Sequence, residues 1–226
     1  MDADSFGTVE KYMLECMAED TAHGKDHIYH VLYGALLIAE DFEEVDYDCL
    51  IVSCLLHDIG REEQLRNPKL CHAEVGAQKA ERFLLSCGYS DSFAAKVSDC
   101  IKTHRFRKGQ TPKTIEAKIL FDADKLDVTG AIGIARTLAY KGLHGTSLYE
   151  IDSDGSVSGG ENDSSDTFFH EYKFKLEGMY DRFYTKRGSE LAAERRKAAE
   201  DFYEAVLNEV RNVTLCSRHL LNGKIE

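Results

Sequence analysis

Helical periodicity is the feature of this sequence that most constrains its fold. Apolar residues recur at three- and four-residue intervals in segment after segment, and strand-like alternation is hard to find. Residues 26–41 show the pattern clearly, because their apolar side chains share one helical face and an acidic pair closes the segment. The two prolines, Pro68 and Pro112, both fall between periodic segments. The pattern predicts an all-α protein.

The periodic segments define the predicted helices and their ends. Gly60 and Gly88 lie where glycine closes a helix in the left-handed conformation. At 226 residues and 43% hydrophobic content, the chain can bury one substantial core, and we expect a single domain over residues 1–226 with C-terminal helices over 167–212. The predicted helices cover residues 6–19, 26–41, 46–58, 72–87, 91–104, 114–128, 129–141, 167–184 and 189–212.

One segment departs from the helical pattern. Residues 151–166, IDSDGSVSGGENDSSD, are rich in Gly, Ser and Asp and have little apolar content. Such a composition buries too little surface to offset the entropy of ordering, so we expect a flexible surface loop. A lid over a neighbouring site is the alternative interpretation. A calcium loop fits less well, because the acidic residues lack EF-hand spacing.

Charge and cysteine usage narrow the classes of partner and compartment. A formal net charge of −12 argues against a grip on the phosphates of a nucleic-acid polymer, which needs a basic face. The seven cysteines form no C-x-x-C pair and mostly lie in apolar helical patterns, as reduced thiols do. Neither a membrane-spanning run nor a signal peptide is apparent. We therefore expect a cytoplasmic protein without a membrane partner.

The dipeptide His57–Asp58 follows the apolar run LIVSCLL, which has almost no polar face. A charged pair at the end of a buried helix is costly unless a cation or hydrogen-bond donors satisfy it. Consecutive helical residues point about 100° apart, so both side chains reach one ion only if the helix ends there. Imidazole with carboxylate suits Mn, Fe, Ni, Co or Mg better than a thiolate-built zinc site.

Three aspartates interrupt a later apolar segment, EAKILFDADKLDVTGAIGIAR, at residues 116–136. Asp122, Asp124 and Asp127 are flanked by apolar side chains, which suggests that at least one of them faces inward. Helical periodicity brings Asp122 and Asp127 nearer to the core face than Asp124. Periodicity alone does not choose a ligand among the three.

The order of these motifs resembles a known family. His27 in DHIYHVL, His57–Asp58 in LLHDIGR and the aspartate of A-D-K-L are similar to the H…HD…D signature of the HD superfamily of metal-dependent phosphohydrolases, and the likeness runs from about residue 20 to residue 136. The resemblance implies a compact all-helical HD-domain bundle. It also implies that one divalent ion is held by His27, His57, Asp58 and Asp124. Asp122 and Asp127 then become candidates for orienting those ligands.

Two further histidines bear on the number of metal ions. His72 and His104 lie where two-metal relatives, including cyclic-dinucleotide phosphodiesterases, carry extra ligands, whereas in one-metal relatives these positions meet substrate phosphate. Arg105 stands where some two-metal members have a second consecutive histidine. The resemblance therefore favours one ion per chain, of Mn, Mg, Fe, Co or Ni type, with phosphate bound by His72, His104, Arg105 and Lys125.

The activity implied is hydrolysis of a phosphate ester or diphosphate by a metal-activated water that attacks phosphorus, with His57, Asp58 and Lys125 as catalytic residues. Arg105 suits phosphate because its planar fork can hold two oxygens. Alarmone hydrolases and 5′-nucleotidases of the superfamily carry a carboxylate three residues after the HD aspartate, where this chain has Arg61. The resemblance therefore disfavours those two activities, unless Glu62 or Glu63 takes the place of that carboxylate. Relatives that share DADKLD include nucleoside triphosphate pyrophosphohydrolases, which favours a nucleotide or another small phosphate ester.

Two other functions fit the same scaffold. An HD-type di-iron oxygenase would need His72 and His104 as ligands of a second iron. A binding or regulatory module would keep the fold without turnover, although the intact ligand set argues against it. The long C-terminal helix is compatible with a homodimer, which the sequence does not decide.

Overall fold

The computed structural model describes residues 1–17, 24–106 and 109–225. Over these ranges the regular elements are helices, and an isolated antiparallel bridge joins Ile151 and Val157. The all-α prediction is therefore confirmed. Within the same ranges, no helix has both the length and the apolar character that a bilayer crossing requires.

The helices follow one another along the chain with short connections. The first seven are α1 (Ala3–Cys16), α2 (Lys25–Ala39), α3 (Tyr47–Leu56), α4 (Arg61–Arg66), α5 (His72–Ser86), α6 (Asp91–Thr103) and α7 (Ile115–Leu126). The remainder are α8 (Gly130–Leu143), the single turn α9 (Phe168–Glu171), a π-helical turn (Tyr172–Leu176), a 3-10 turn (Glu177–Met179) and α10 (Lys186–Ile225).

The chain divides into two compact units, one of residues 1–127 with 183–189 and one of residues 128–182 with 190–226. In the first unit α3 is the central helix and packs against α1, α2, α6 and α7. Leu50, Val52 and Leu55 on α3 are fully buried, as expected for a helix that is apolar on every side. The expectation of a single domain stays a prediction.

Two helices of the first unit end at histidines. His57 is the residue that closes α3 and His104 closes α6. The last carbonyls of a helix lack intrahelical donors, so a side chain at this position can satisfy them. This local arrangement places both imidazoles at helix ends, where they can turn towards a common point.

The glycine after the HD dipeptide has a different role from the one predicted. Gly60 has φ of −95°, outside the left-handed region, so the expectation of a left-handed helix end is wrong at this position. A Cβ atom on Gly60 would lie 2.3 Å from the carbonyl oxygen of His72, so glycine is required by the close approach of α5. Gly88 does adopt the left-handed conformation, with φ of 86°.

The second unit has its own aromatic core. Tyr172 and Tyr203 stack with centroids 4.2 Å apart, and Phe169 contacts Tyr203 edge to face at 5.4 Å. Residues 157–160 of the Gly-Ser-Asp segment are buried, and Gly159 accepts a hydrogen bond from the Tyr203 hydroxyl at 2.6 Å. The segment 151–166 is thus partly built into this core, although its composition predicted a surface loop throughout.

Several predicted boundaries differ from the structure. The helix expected at 167–184 is a series of single turns, and the last helix continues to Ile225 instead of ending at 212. Helix α4 was missed, because REEQLR carries one apolar residue and no periodicity. The helix predicted at 6–19 begins at Ala3, and its last two predicted residues lie outside the described ranges.

Candidate metal centre

Three predicted ligands converge in the first unit from three helical segments. His27 lies on α2, His57 at the end of α3 and Asp124 on α7. The two Nε2 atoms are 3.3 Å apart, and Oδ1 of Asp124 lies 3.4 Å from the His27 nitrogen and 4.0 Å from the His57 nitrogen. Ligands held about 2.0–2.2 Å from one ion are themselves separated by roughly 3 to 3.5 Å when they are neighbours around it. The 3.3 and 3.4 Å separations match a single cation, and the 4.0 Å separation is longer.

We call His27, His57 and Asp124 the first donor set, and Asp58, His72 and His104 the second donor set. Asp58 lies between the two. Its Oδ2 atom is 3.7 Å from Nε2 of both His27 and His57. Its other oxygen, Oδ1, is 3.2 Å from Nε2 of His72 and 3.6 Å from Nε2 of His104. The carboxylate is fully buried, and neither oxygen receives a hydrogen bond of normal geometry from the described residues. A buried carboxylate in this state fits a cation on either side of it.

The outer nitrogen of each imidazole faces a hydrogen-bond acceptor. Nδ1 of His57 lies 2.7 Å from the Cys54 carbonyl oxygen, and Nδ1 of His104 lies 2.5 Å from the Ile101 carbonyl oxygen. These two contacts satisfy carbonyls at the ends of α3 and α6. A carbonyl only accepts, so each Nδ1 carries the proton and each Nε2 keeps its lone pair.

The other two histidines are held by side chains. Nδ1 of His27 lies 2.6 Å from Oδ2 of Asp127. Nδ1 of His72 lies 2.6 Å from Oε1 of Gln64, whose amide nitrogen donates to the Leu70 carbonyl at 3.0 Å and so fixes the amide orientation. We assign the proton of His72 to Nδ1 because this contact is shorter than the 3.3 Å contact with Nη1 of Arg105.

These tautomers test whether the site fits a metal ion. With all four protons on Nδ1, the facing pairs His27–His57 and His72–His104 each bring two lone pairs within 3.3 Å. Two acceptors cannot form a hydrogen bond with each other, and their mutual repulsion is relieved by a shared cation. Neutral Nε2 donors backed by an acceptor on Nδ1 are the usual form of a metal-ligating histidine. The residues therefore fit divalent metal.

Burial and neighbouring charge set the ionisation of the ligands. Burial lowers the pKa of His57 to about 4 and that of His72 to about 2, which keeps both rings neutral at neutral pH. Burial opposes ionisation of Asp58, but the Arg61 guanidinium and the surrounding imidazoles together more than offset it, and the pKa lies well below its usual range. Asp124 shows the same balance, with the Lys125 ammonium as the main stabilising charge. At neutral pH, His57 and His72 are thus neutral, and Asp58 and Asp124 are ionised.

Basic side chains border the donor atoms. Nζ of Lys125 donates to Oδ2 of Asp124 at 2.5 Å and to the His104 carbonyl oxygen at 3.2 Å. Nη1 of Arg105 lies 3.3 Å from Nδ1 of His72. Nε of Arg61 lies 3.0 Å from Oδ2 of Asp58. The structure therefore brings the predicted phosphate-binding residues together beside the predicted metal ligands.

The two carboxylates offered as substitutes for the one replaced by Arg61 are paired elsewhere. Glu62 forms an ion pair with Arg66 on the exposed side of α4. Glu63 accepts from Nζ of Lys79 at 2.7 Å. Both pairs lie within the segment α4–α5, so these carboxylates have partners of their own.

Asp122 in α7 and Asp127, the residue that follows α7, have separate roles. Asp127 contacts Nδ1 of both His27 and His30, so it lies where it can orient the predicted ligand His27. Asp122 accepts from the backbone nitrogens of Tyr184 and Thr185 at 2.8 and 2.7 Å and from the Thr185 hydroxyl at 2.6 Å. It therefore anchors the start of α10 and does not orient a ligand.

Sequence reasoning missed Gln64, which had no motif to mark it.

Comparison with known proteins agrees with this geometry. Residues 24–129 match the model of the HD domain family. The Bacillus subtilis protein YpgQ is 29% identical over 199 residues, which cover 86% of this chain and 88% of YpgQ.

Solved structures show the same architecture. The crystal structure of B. subtilis YpgQ in complex with ADP has a TM-score of 0.70 at 24% identity, covering 91% of this chain and 97% of that one. A predicted HD superfamily hydrolase from an uncultured Thermotogales bacterium has a TM-score of 0.60 at 27% identity, with 92% of each chain covered. Over residues 24–129, this chain therefore carries an HD domain.

Proposed function

We propose that the protein is a metal-dependent phosphohydrolase that acts on a nucleotide or another small phosphate ester. The observation that carries the proposal is the Asp58 carboxylate, which is buried between two pairs of imidazole lone pairs, has Arg61 beside it and receives no hydrogen bond of normal geometry from the described residues. A divalent ion bound there lowers the pKa of water and neutralises charge on a phosphoryl group. The solved YpgQ complex contains ADP, which supports a nucleotide as substrate.

The residues around the ligands suit a phosphate. Lys125 holds an ammonium group 2.5 Å from the Asp124 carboxylate and can place its charge beside a phosphoryl oxygen. Arg105 has a forked guanidinium that can bind two phosphate oxygens. Burial and the Cys54 carbonyl keep His57 neutral with its proton on Nδ1. The Arg61 guanidinium helps to keep Asp58 ionised. These are the roles that we propose for the predicted catalytic and phosphate-binding residues.

The number of ions per chain is a separate part of the proposal. The family resemblance implies one ion held by His27, His57, Asp58 and Asp124, and three of these four residues, His27, His57 and Asp124, form the first donor set. The second set, Asp58 with His72 and His104, offers the same donor types within 4.8 Å of one another. In the one-ion form, His72 and His104 face the substrate phosphate.

The second donor set also supports a different candidate function. A di-iron oxygenase requires two adjacent sites that share a ligand, and Asp58 has one oxygen towards each pair of histidines. Two irons per chain with oxygen consumption and no phosphate release would favour this activity. A single ion with phosphate release would exclude it.

Elemental analysis of the purified protein, paired with assays of phosphate and pyrophosphate release, tests the proposal. The protein is stripped with a chelator, reloaded with Mn, Mg, Co, Ni or Fe, and supplied with a panel of nucleotides and simple phosphate esters. We expect about one ion per chain and release from one class of substrate. A protein that binds no divalent metal would refute the proposal.

Matched variants separate the centre from general effects of substitution. His57→Ala and Asp58→Ala are expected to lose at least a thousand-fold in kcat/KM, because both remove a ligand. His144→Ala and Asp91→Ala change the same residue types at exposed positions outside the donor sets and are expected to keep full activity. Activity that survives in the first pair would show that chemistry occurs elsewhere.

A cytoplasmic location also belongs to the proposal. The seven cysteines all lie within the described residues and form no disulfide there, and Cys49, Cys54 and Cys100 are buried in the first unit. Reduced thiols in this number are typical of a reducing compartment. Fractionation of cells that express a tagged chain would test the location.

A further inference from the structure

Three aromatic side chains of the first unit form a surface beside the donor sets. Phe121 on α7 is buried, and its ring contacts Phe106 at a centroid distance of 4.7 Å and Tyr184 at 4.8 Å. Both contacts are edge to face, with interplanar angles of 84° and 83°. Phe106 and Tyr184 are each 41% exposed. We call Phe106, Phe121 and Tyr184 the aromatic shelf.

Lys125 connects the aromatic shelf to the proposed metal centre. Its Nζ atom lies 5.0 Å from the centroid of Phe121 and 5.6 Å from that of Phe106. The same atom is 2.5 Å from Oδ2 of Asp124, which belongs to the first donor set. One lysine side chain therefore separates an exposed aromatic ring from a ligand of the centre.

The shelf is held in place by more than ring contacts. Asp122 binds the backbone nitrogens of Tyr184 and Thr185, which fixes the segment that carries the Tyr184 ring. Phe106 follows His104, whose Nδ1 is bound to the Ile101 carbonyl oxygen at the end of α6. Single exposed apolar residues are common and need no explanation. Two exposed rings on one buried ring, beside a cation at the active centre, are a more specific arrangement.

We propose that the aromatic shelf stacks the base of a nucleoside phosphate while the phosphates face the donor sets. The inference deepens the proposed function and rests on it, since it selects nucleotides over phosphate esters that lack an aromatic ring. Every base has a π-face, and stacking on an aromatic side chain tolerates any base. The Lys125 ammonium lies between shelf and centre, where the charged end of such a substrate begins.

The first test compares a nucleotide with a substrate that has the same phosphates and no base. KM and kcat are measured for the best nucleoside triphosphate of the panel and for inorganic tripolyphosphate, with the metal-loaded protein and with Phe106→Leu and Tyr184→Leu. We expect KM for the nucleotide to rise about ten-fold in each variant, with kcat and the tripolyphosphate parameters within about two-fold. Phe174→Leu, at a 61% exposed ring of the second unit, is the matched control and should change neither substrate.

The second test reads binding without turnover. Saturation-transfer NMR measures how much saturation the magnesium-loaded protein transfers to the base protons and to the ribose protons of adenosine monophosphate. Ribose 5-phosphate serves as the ligand without a base. We expect the strongest transfer at the base protons and its loss in Phe106→Leu. Equal KM changes for nucleotide and tripolyphosphate, or saturation transfer that is strongest at the ribose protons, would refute the proposal that the aromatic shelf stacks the base. If the protein releases phosphate from neither of these substrates nor from any phosphate ester of the panel, the proposed function fails, and the NMR result still decides whether the aromatic shelf binds a base.

Discussion

Nδ1 of His27 lies 2.6 Å from Oδ2 of Asp127, and this contact turns the other ring nitrogen towards His57 and Asp124. An anionic acceptor behind a ligating imidazole raises its basicity and fixes its orientation. We therefore expect Asp127→Asn to weaken metal binding by about 10- to 100-fold. Competition against a metal-sensitive fluorescent chelator measures the change. Asp91→Asn, on the exposed start of α6, is the control, and an unchanged affinity in Asp127→Asn would contradict the prediction.

Metal addition should stabilise the fold, because the donor atoms converge only in the native state. At a free Mn concentration of about 100 times the dissociation constant, the gain is about 2.7 kcal/mol. For a chain of this size that corresponds to a rise in Tm of roughly 5–10 °C. Thermal unfolding of stripped and reloaded protein measures it. His57→Ala should lose most of the rise while His144→Ala keeps it, and an equal rise in both would place the ion elsewhere.

The metal-free protein should lose stability as the pH falls below neutrality. Burial lowers the pKa of His57 to about 4, below the value of about 6.5 in an unfolded chain. The unfolded state therefore binds more protons between these values, so the contribution is complete above pH 6.5 and is lost as the pH falls towards 4. His57 alone accounts for a loss of the order of 3 kcal/mol.

Urea unfolding at pH 7, 6 and 5 in the presence of a chelator checks this dependence. His72, whose pKa is lowered to about 2 by burial, adds to the loss in the same direction. His57→Gln removes one titrating group and should flatten the decline. A free energy of unfolding that is constant over this range would show that the imidazoles are not desolvated.

Gly60 should tolerate no side chain. A Cβ atom there would lie 2.3 Å from the carbonyl oxygen of His72, so Gly60→Ala forces α5 away from the HD turn. We expect a cost of about 1–3 kcal/mol and weaker metal binding, because His72 and Asp58 are displaced.

Gly7→Ala provides the contrast for Gly60→Ala. Gly7 lies within α1, and its added Cβ would meet nothing within 4 Å. Alanine is favoured over glycine in a helix by roughly 0.5–1 kcal/mol, so this variant should be more stable. Denaturant unfolding compares the two, and a Gly60→Ala protein as stable as the parent would contradict the packing argument.

Local pattern was sufficient to predict the all-α fold and the burial of the helix that precedes His57 and Asp58. It also indicated correctly that Asp122 and Asp127 are buried. Burial did not reveal their partners, because Asp122 binds backbone atoms of Tyr184 and Thr185 more than 60 residues later. Asp124, less buried than either, approaches His27 and His57, and only the family resemblance singled it out.

The structural elements that the sequence pattern did not predict lack a periodic arrangement of apolar residues. Helix α4 forms from REEQLR, and its Gln64 reaches His72 across eight residues. The end of α10 continues past residue 212 with exposed Val213 and Leu220, so no buried face marked its length. The Gly-Ser-Asp segment is partly buried because Tyr203 and Arg211 donate to its carbonyls, which are contacts that composition cannot predict.

The four imidazoles differ in how far substitution can retune them. His57 and His104 donate to main-chain carbonyls, which no change of side chain removes. His27 contacts the anionic carboxylate of Asp127, whereas His72 contacts the neutral amide of Gln64. His27, backed by an anion, is therefore a stronger electron donor than His72, backed by an amide. Replacing Asp127 by an amide, or Gln64 by a carboxylate, offers a route to altered metal preference that leaves every predicted ligand in place.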